Sequence, residues 1–126
     1  SCQVLLIDTI GEVLFFYACS DVAVVGGSLL PVGGHNLLEP AAIGLPIITG
    51  AHTFNQKEMT DRLTQANALR IVHNENSLYS DVIFFLMNDE ESKNDGQRGK
   101  LIVESNKGAI KSLMKRLSVI IGEETQ

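Results

Sequence analysis

The stretch Gly26 to Pro46, GGSLLPVGGHNLLEPAAIGLP, lies between the apolar runs Val22–Val25 and Ile47–Ile48 and decides how the chain is read. Two glycine pairs, a His-Asn step, a Glu-Pro step and a Gly-x-Pro stop make it a strand-to-helix turn built to receive an anion. Glycine pairs permit φ > 0 and bring main-chain N–H groups close to a ligand, and the following helix adds the unpaired donors of its first turn. The first 56 residues hold no Lys and no Arg, yet carry Asp8, Glu12, Asp21 and Glu39. An anion in this loop must therefore be held by backbone amides, and a phosphate is the natural guest.

Working outward, short apolar runs alternate with helical patterns. Val4–Ile7 reads as a strand, about Gly11 to Cys19 as a helix, and Val22–Val25 as the strand that feeds the glycine loop. A short helix to Ile43, a strand at Ile47–Ile48, a helix near Gln56 to Gln65 and a strand at Leu69–Val72 follow. Ser77 starts a helix through Asn88, and the polar stretch Asp89–Gly99 resembles a linker. It leads into Leu101–Asn106 and a last amphipathic helix from about Gly108 to Ile121. This order predicts an α/β fold, a Rossmann-like parallel sheet with helical crossovers. Ligands of such sheets bind beyond the carboxyl ends of the strands, where the loops after Val25 and Ile48 lie.

With 126 residues, 44% apolar and 20% charged, the chain makes one compact unit. A net charge of −5, with basic residues beginning only at Lys57, argues against nucleic acid as the partner. Cys2 and Cys19 form neither a metal spacing nor a disulfide framework, which points to a reducing compartment. No apolar stretch approaches the roughly 20 residues of a membrane span, so these residues are expected to be soluble. The opening Ser1-Cys2-Gln3, which lacks a Met and runs straight into an apolar segment, suggests part of a longer protein.

Each candidate residue has a structural reading beside a binding one. Gly26, Gly27, Gly33 and Gly34 exceed what one turn requires, which favours ligand approach. Asn36 and Glu39 have capping-box spacing, with Asn36 as N-cap and Glu39 reaching back; a carboxylate at this edge also accepts the paired hydroxyls of a ribose. Pro40 fits the first helical turn. His35, in a segment too glycine-rich to bury it, can donate to a phosphate or sugar, and no second ligand at suitable spacing makes it a metal site. His52, Thr53 and Asn55 read equally as a helix cap or as a second ligand-facing group. Asp8-Thr9-Ile10-Gly11-Glu12 reads as a capped helix start, Ser28 is a weak polar contributor, and His73 belongs to an exposed turn. Neither a nucleophile elbow, nor G-x-G-x-x-G, nor a P-loop is present. What remains is a phosphate-and-sugar cradle without a base of its own.

The run DTIGEVLFFYACSDVAVVGGSLLPVGGHNLLEPAAIGLPIITGAHTFN resembles the C-terminal domain of the 3-deoxy-D-manno-octulosonic acid (Kdo) transferases. The likeness is close over residues 4 to about 72 and weaker beyond. It implies part of the C-terminal, donor-binding half of a GT-B glycosyltransferase of lipopolysaccharide biosynthesis in Gram-negative bacteria. That family moves Kdo from CMP-Kdo to a lipid A precursor by an inverting displacement, without a metal or other cofactor, at the cytoplasmic face of the inner membrane. By resemblance, Gly26, Gly27, Ser28, Gly33, Gly34, His35, Asn36, Glu39 and Asn55 bind the donor, with Glu39 on the ribose. Thr9, Gly11, Glu12 and His52 match further family motifs. One departure is Gln56, where the family pattern places an aromatic.

The resemblance also places the acceptor domain, the membrane-proximal anchor and the general base upstream, so no catalytic residue is assigned here and the 126 residues alone are expected to be inactive. Two alternatives stay open: a GT-B enzyme using a UDP-sugar, as transferase or epimerase, or a non-catalytic nucleotide-binding module.

Overall fold

The computed structural model describes residues 3–6, 13–26, 36–52 and 57–106, together with 108, 111, 114 and 115. In chain order these form α1 (Val13–Ala18), β1 (Ala23–Val25), α2 (Leu38–Ile43), β2 (Ile47–Gly50), α3 (Lys57–Gln65), β3 (Leu69–Val72), α4 (Glu75–Met87) and α5 (Asp89–Ser105). Residues 108, 111, 114 and 115 are helical, within the stretch read as the last helix.

The three strands form one parallel sheet in the order β1-β2-β3, as the alternation of strands and helices predicts. Ala23, Ile47 and Leu69 are in register, as are Val25, Thr49 and Ile71. The middle strand is buried at all four positions, the mark of a strand covered on both faces. On one face Val25, Ile47 and Leu69 pack with Leu37, Leu38 and Ala41 of the α2 segment, Leu63 of α3, Ala68, and Val103 of α5. On the other, Ile48 and Val72 pack against Phe85 of α4, with Leu78, Val82 and Phe84 around them. Helix α4 packs on β2 and β3, which leaves Val24 of β1 48% exposed on that face.

The helices stop where the sequence supplies left-handed residues. Gly44 takes φ 90 after α2, its N–H bonding to the Ala41 carbonyl at 3.1 Å while Leu45 N–H bonds to the Pro40 carbonyl at 3.1 Å. These are the paired bonds that close a helix C-terminus, and Pro46 prevents continuation. Asn67, with φ 58, does the same after α3: Asn67 N–H reaches the Thr64 carbonyl at 3.1 Å and Ala68 N–H the Leu63 carbonyl at 2.8 Å.

Three expectations need correction. Val4–Leu6 forms no strand and is exposed by 85, 70 and 85%; apolar composition permits a strand but cannot by itself provide sheet pairing. Helix α4 begins before Ser77: Asn74 is its N-cap, accepting from Ser77 N–H at 2.9 Å, and Ser77 Oγ accepts from Asn74 N–H at 3.4 Å, which makes Ser77 the third helical residue of a capping box.

The largest correction concerns Asp89–Gly99, which is no linker but the first part of the 17-residue α5. Its buried residues, Asp95, Gly96, Gly99 and Val103, fall at helical spacing, so the glycines mark a contact face. A Cβ at Gly96 would stand 1.8 Å from the Gly44 carbonyl oxygen, and one at Gly99 would meet Ala68 Cβ at 3.5 Å. Tertiary contact with α2 and α3 thus overrides a composition that disfavours helix. Asp95 sits between Arg98, which donates to its Oδ1, and Arg70, whose Nε lies 4.0 Å from Oδ2. Arg70 in turn donates to Asp81 at 3.2 Å and lies over the Phe84 and Phe85 rings, 4.3 and 4.6 Å from their centroids. This cluster ties β3, α4 and α5 together.

Candidate functional site

Because the strands are parallel, their carboxyl ends share one edge of the sheet, where Gly26 leaves β1 and His52 follows β2. Thr49 Oγ1 donates to the Val25 carbonyl at 3.2 Å, fastening the ends of the two strands together. Gly26 and His52 are both exposed there.

Helix α2 returns from this edge, so its first turn stands beside the strand ends. Asn36 and Glu39 do meet, but not as the expected capping box. Leu37 occupies the cap position with helical φ −88 and ψ −16 and makes no side-chain cap bond. Asn36, one residue earlier, accepts from Leu38 N–H through Oδ1 at 2.8 Å and donates through Nδ2 to Glu39 Oε1 at 3.4 Å. The helix starts one residue later than the spacing suggests, so Glu39 is its second residue and reaches the Asn36 side chain, not its backbone. Pro40 is third and buried; its missing N–H falls where no intrahelical partner exists.

Both side chains are half-buried, and their chemistry suits a sugar more than a phosphate. A carboxamide has two N–H donors and a carboxylate about four acceptor positions. The Asn36–Glu39 contact is long, at 3.4 Å. A carboxylate repels phosphate and accepts from hydroxyls, which is the chemistry Glu39 offers a ligand. No Lys or Arg precedes Lys57 in the sequence.

Sequence reasoning missed Tyr17. Helix α1 packs on α2, and Tyr17 is half-buried on it. Burial pushes its hydroxyl above the ordinary tyrosine value of 10.0, and the nearby negative charge of Glu39 adds to the rise. The spacing Val13, Phe16, Tyr17 marks a helical face, but nothing in it foretells an electrostatic influence of Glu39 on the hydroxyl.

The remaining predicted residues, Gly27, Ser28, Gly33, Gly34 and His35 of the first loop, Asn55 of the second, and Thr9, Gly11 and Glu12, lie outside the described residues. Among the described residues, no three His, Cys, Asp or Glu side chains converge as a metal site, and no helix is long and apolar enough to cross a membrane. Cys19 is a free, exposed thiol, and His73 is exposed, as its turn predicts. A cavity of about 290 Å³ opens at the opposite, amino edge of the sheet, lined by Asp21, Pro46, Phe85, Asp89, Ser92 and Lys93 among others; it contains none of the predicted residues.

No family model matches the chain. The 3-deoxy-D-manno-octulosonic acid transferase of Haemophilus influenzae is 39% identical over 116 residues, covering 91% of this chain and 27% of that protein. The enzyme of the same name from Bordetella pertussis is 53% identical over 69 residues, 54% of this chain and 16% of that protein. That from Chlamydia pneumoniae is 36% identical over 103 residues, 81% of this chain and 24% of that protein. The chain thus spans about a quarter or less of the length of these relatives. Among solved structures, the C-terminal CMP-Kdo binding domain of WaaA from Acinetobacter baumannii superposes with a TM-score of 0.76 at 32% identity, covering 80% of this chain and 53% of that one. The fold is therefore that of part of this α/β domain.

Proposed function

From the premise that this chain is homologous along most of its length to the Kdo transferases, we propose that it is the donor-binding part of an inverting glycosyltransferase that moves Kdo from CMP-Kdo to a lipid A precursor. The observation that carries the reading is the Asn36–Glu39 pair held at the carboxyl edge of β1 and β2, the edge at which open parallel sheets bind nucleotides. The carboxylate faces the ribose hydroxyls, while main-chain N–H groups of Gly26, Gly27, Ser28, Gly33 and Gly34, with His35 and Asn36, receive the phosphate. By the family resemblance, Asn55 and His52 add to donor binding, and Thr9, Gly11 and Glu12 are further candidates.

In the reaction, the bond between the anomeric carbon of Kdo and the CMP phosphate oxygen breaks as the acceptor hydroxyl attacks from the opposite face. Negative charge collects on the departing phosphate. Donors already fixed there stabilise that charge without reorganising, commonly the largest single contribution to such a rate. Within these 126 residues no side chain is assigned to deprotonate the acceptor. The acceptor domain and general base belong to the rest of the enzyme, which would act at the cytoplasmic face of the bacterial inner membrane.

Calorimetric titration with CMP, UMP and UDP tests the reading, together with a transfer assay using CMP-Kdo and a lipid A precursor. We expect saturable binding of CMP, weaker binding of the uridine nucleotides, and no transfer by the 126 residues alone. Preference for UDP would favour a UDP-sugar enzyme, and Kdo transfer by this chain would refute the division of labour.

A further inference from the structure

We infer that Gly96 is a positioning residue for the candidate site: the bare backbone it presents on α5 seats the carboxyl end of α2, and through that short helix sets where the Asn36–Glu39 turn stands. The inference rests on the reading of that turn given above and adds a residue from the far end of α2.

The link is the length of α2. Six residues at 1.5 Å each make a rod of about 9 Å, fewer than two turns, with Gly44 at one end and Leu38 and Glu39 at the other. At Gly44, α5 approaches so closely that a Cβ on Gly96 would stand 1.8 Å from the Gly44 oxygen and 2.7 Å from its carbonyl carbon. The obstructing atoms are backbone, so only glycine fits at position 96 without moving α2 or α5. Gly99 faces Ala41 of the same rod, but a Cβ there would meet the Ala41 Cβ at an ordinary 3.8 Å.

A side chain at position 96 must displace one of the two helices, and α5 is anchored on both sides of that position. Asp95 is held by Arg98 and faces Arg70, which donates to Asp81 of α4 at 3.2 Å. Arg98 Nε donates to the Asn67 carbonyl at 3.1 Å. Beyond Gly44, Leu45 and Pro46 are buried, and the Pro46 carbonyl accepts from Ala23 N–H at 3.0 Å, which ties that segment to β1. At the start of α2, Leu37 makes no side-chain cap bond. Displacement at Gly44 is therefore passed along the rod to the turn where Asn36 Oδ1 accepts from Leu38 N–H at 2.8 Å.

A merely structural glycine and a positioning one differ in what the folded variant looks like at the other end of α2. The test is amide NMR of the unliganded chain and calorimetric titration with CMP, for the native protein, Gly96→Ala, Gly99→Ala and the double variant. Urea unfolding gives the folded fraction of each, and affinity is counted per folded molecule. The double variant keeps the obstruction at position 96 while alanine at position 99 returns helix propensity, which serves where Gly96→Ala alone is too unstable to titrate. We expect the Leu38 and Glu39 amide resonances to move in both variants of Gly96, with those of Leu78 and Val82 in the other layer unmoved. CMP should bind these variants about three- to ten-fold more weakly, the worth of one ordinary hydrogen bond, and should bind Gly99→Ala as it binds the native chain.

Unmoved Leu38 and Glu39 resonances, native CMP affinity in both variants of Gly96, or an equal loss in Gly99→Ala would overturn the inference while leaving the proposed function standing. If the native chain does not bind CMP, the proposed function fails and the role of Gly96 falls with it.

Discussion

Gly96 of α5 lies directly on the carbonyl of Gly44, so close that a Cβ there would stand 1.8 Å from the Gly44 oxygen. The obstructing atom is backbone at a helix terminus with φ 90 and cannot rotate away. Gly96→Ala should therefore cost about 3 kcal/mol, the upper part of the usual overpacking range. Gly99 faces ordinary van der Waals contacts at 3.5 to 3.8 Å, and the better helix propensity of alanine, about 1 kcal/mol, should make Gly99→Ala neutral to stabilising. Urea unfolding of the two variants separates them; equal midpoints would show that α5 does not dock through Gly96.

Asp95 is buried beside Arg98 and Arg70. Burial raises its carboxyl above the ordinary aspartate value, the two arginines pull it back, and Glu91 adds a smaller rise. The folded protein therefore binds this proton more readily than the unfolded chain. The site's contribution is fully present below the unfolded value and is lost as pH rises through the folded one. Removing Arg98 should raise the carboxyl further and destabilise the fold at neutral pH by about 1–2 kcal/mol, a modest figure because Arg98 is partly solvated. Urea midpoints of the native protein and Arg98→Ala across the acid range check this. A loss that does not shrink as pH falls would contradict it.

Tyr17 should keep its proton past pH 10, the value of an ordinary tyrosine. In a Tyr79→Phe background, ultraviolet titration follows Tyr17 alone. Since burial is the larger cause, Glu39→Gln should lower the inflection without returning it fully to the ordinary value. The stability that the neutral hydroxyl contributes is lost as pH rises through the folded value. An inflection at or below 10 in the folded protein would place Tyr17 in water and away from Glu39.

The parts of the fold that were legible in the sequence are those where local pattern and tertiary environment agree. Ile47, Ile48, Leu69 and Val72 are buried on strands because adjacent helices cover them, and Gly44-Leu45-Pro46 ends α2 by the bonds its residues prefer. Asp89–Gly99 misled because Gly96 and Gly99 weaken a helix locally while permitting the contact with Gly44, Ala68 and Leu63 that stabilises it. Val4–Leu6 misled in the other direction, since apolar residues do not themselves create a strand. At the site, the partnership of Asn36 and Glu39 was readable from three-residue spacing, but the start of α2 at Leu38 was not, because Asx side chains serve equally at the cap and one residue before it. Tyr17 was hidden for a simpler reason: its relation to Glu39 joins elements that no short-range pattern connects.

The claim on which the account turns is that CMP binds at the carboxyl edge of the sheet. Amide chemical-shift changes on titration with CMP test it directly. The account predicts that they centre on Gly26, Asn36, Glu39 and His52, with Asp21, Leu45 and Ser92 around the amino-edge cavity unmoved. Changes centred on that cavity, with the Asn36–Glu39 turn silent, would contradict it.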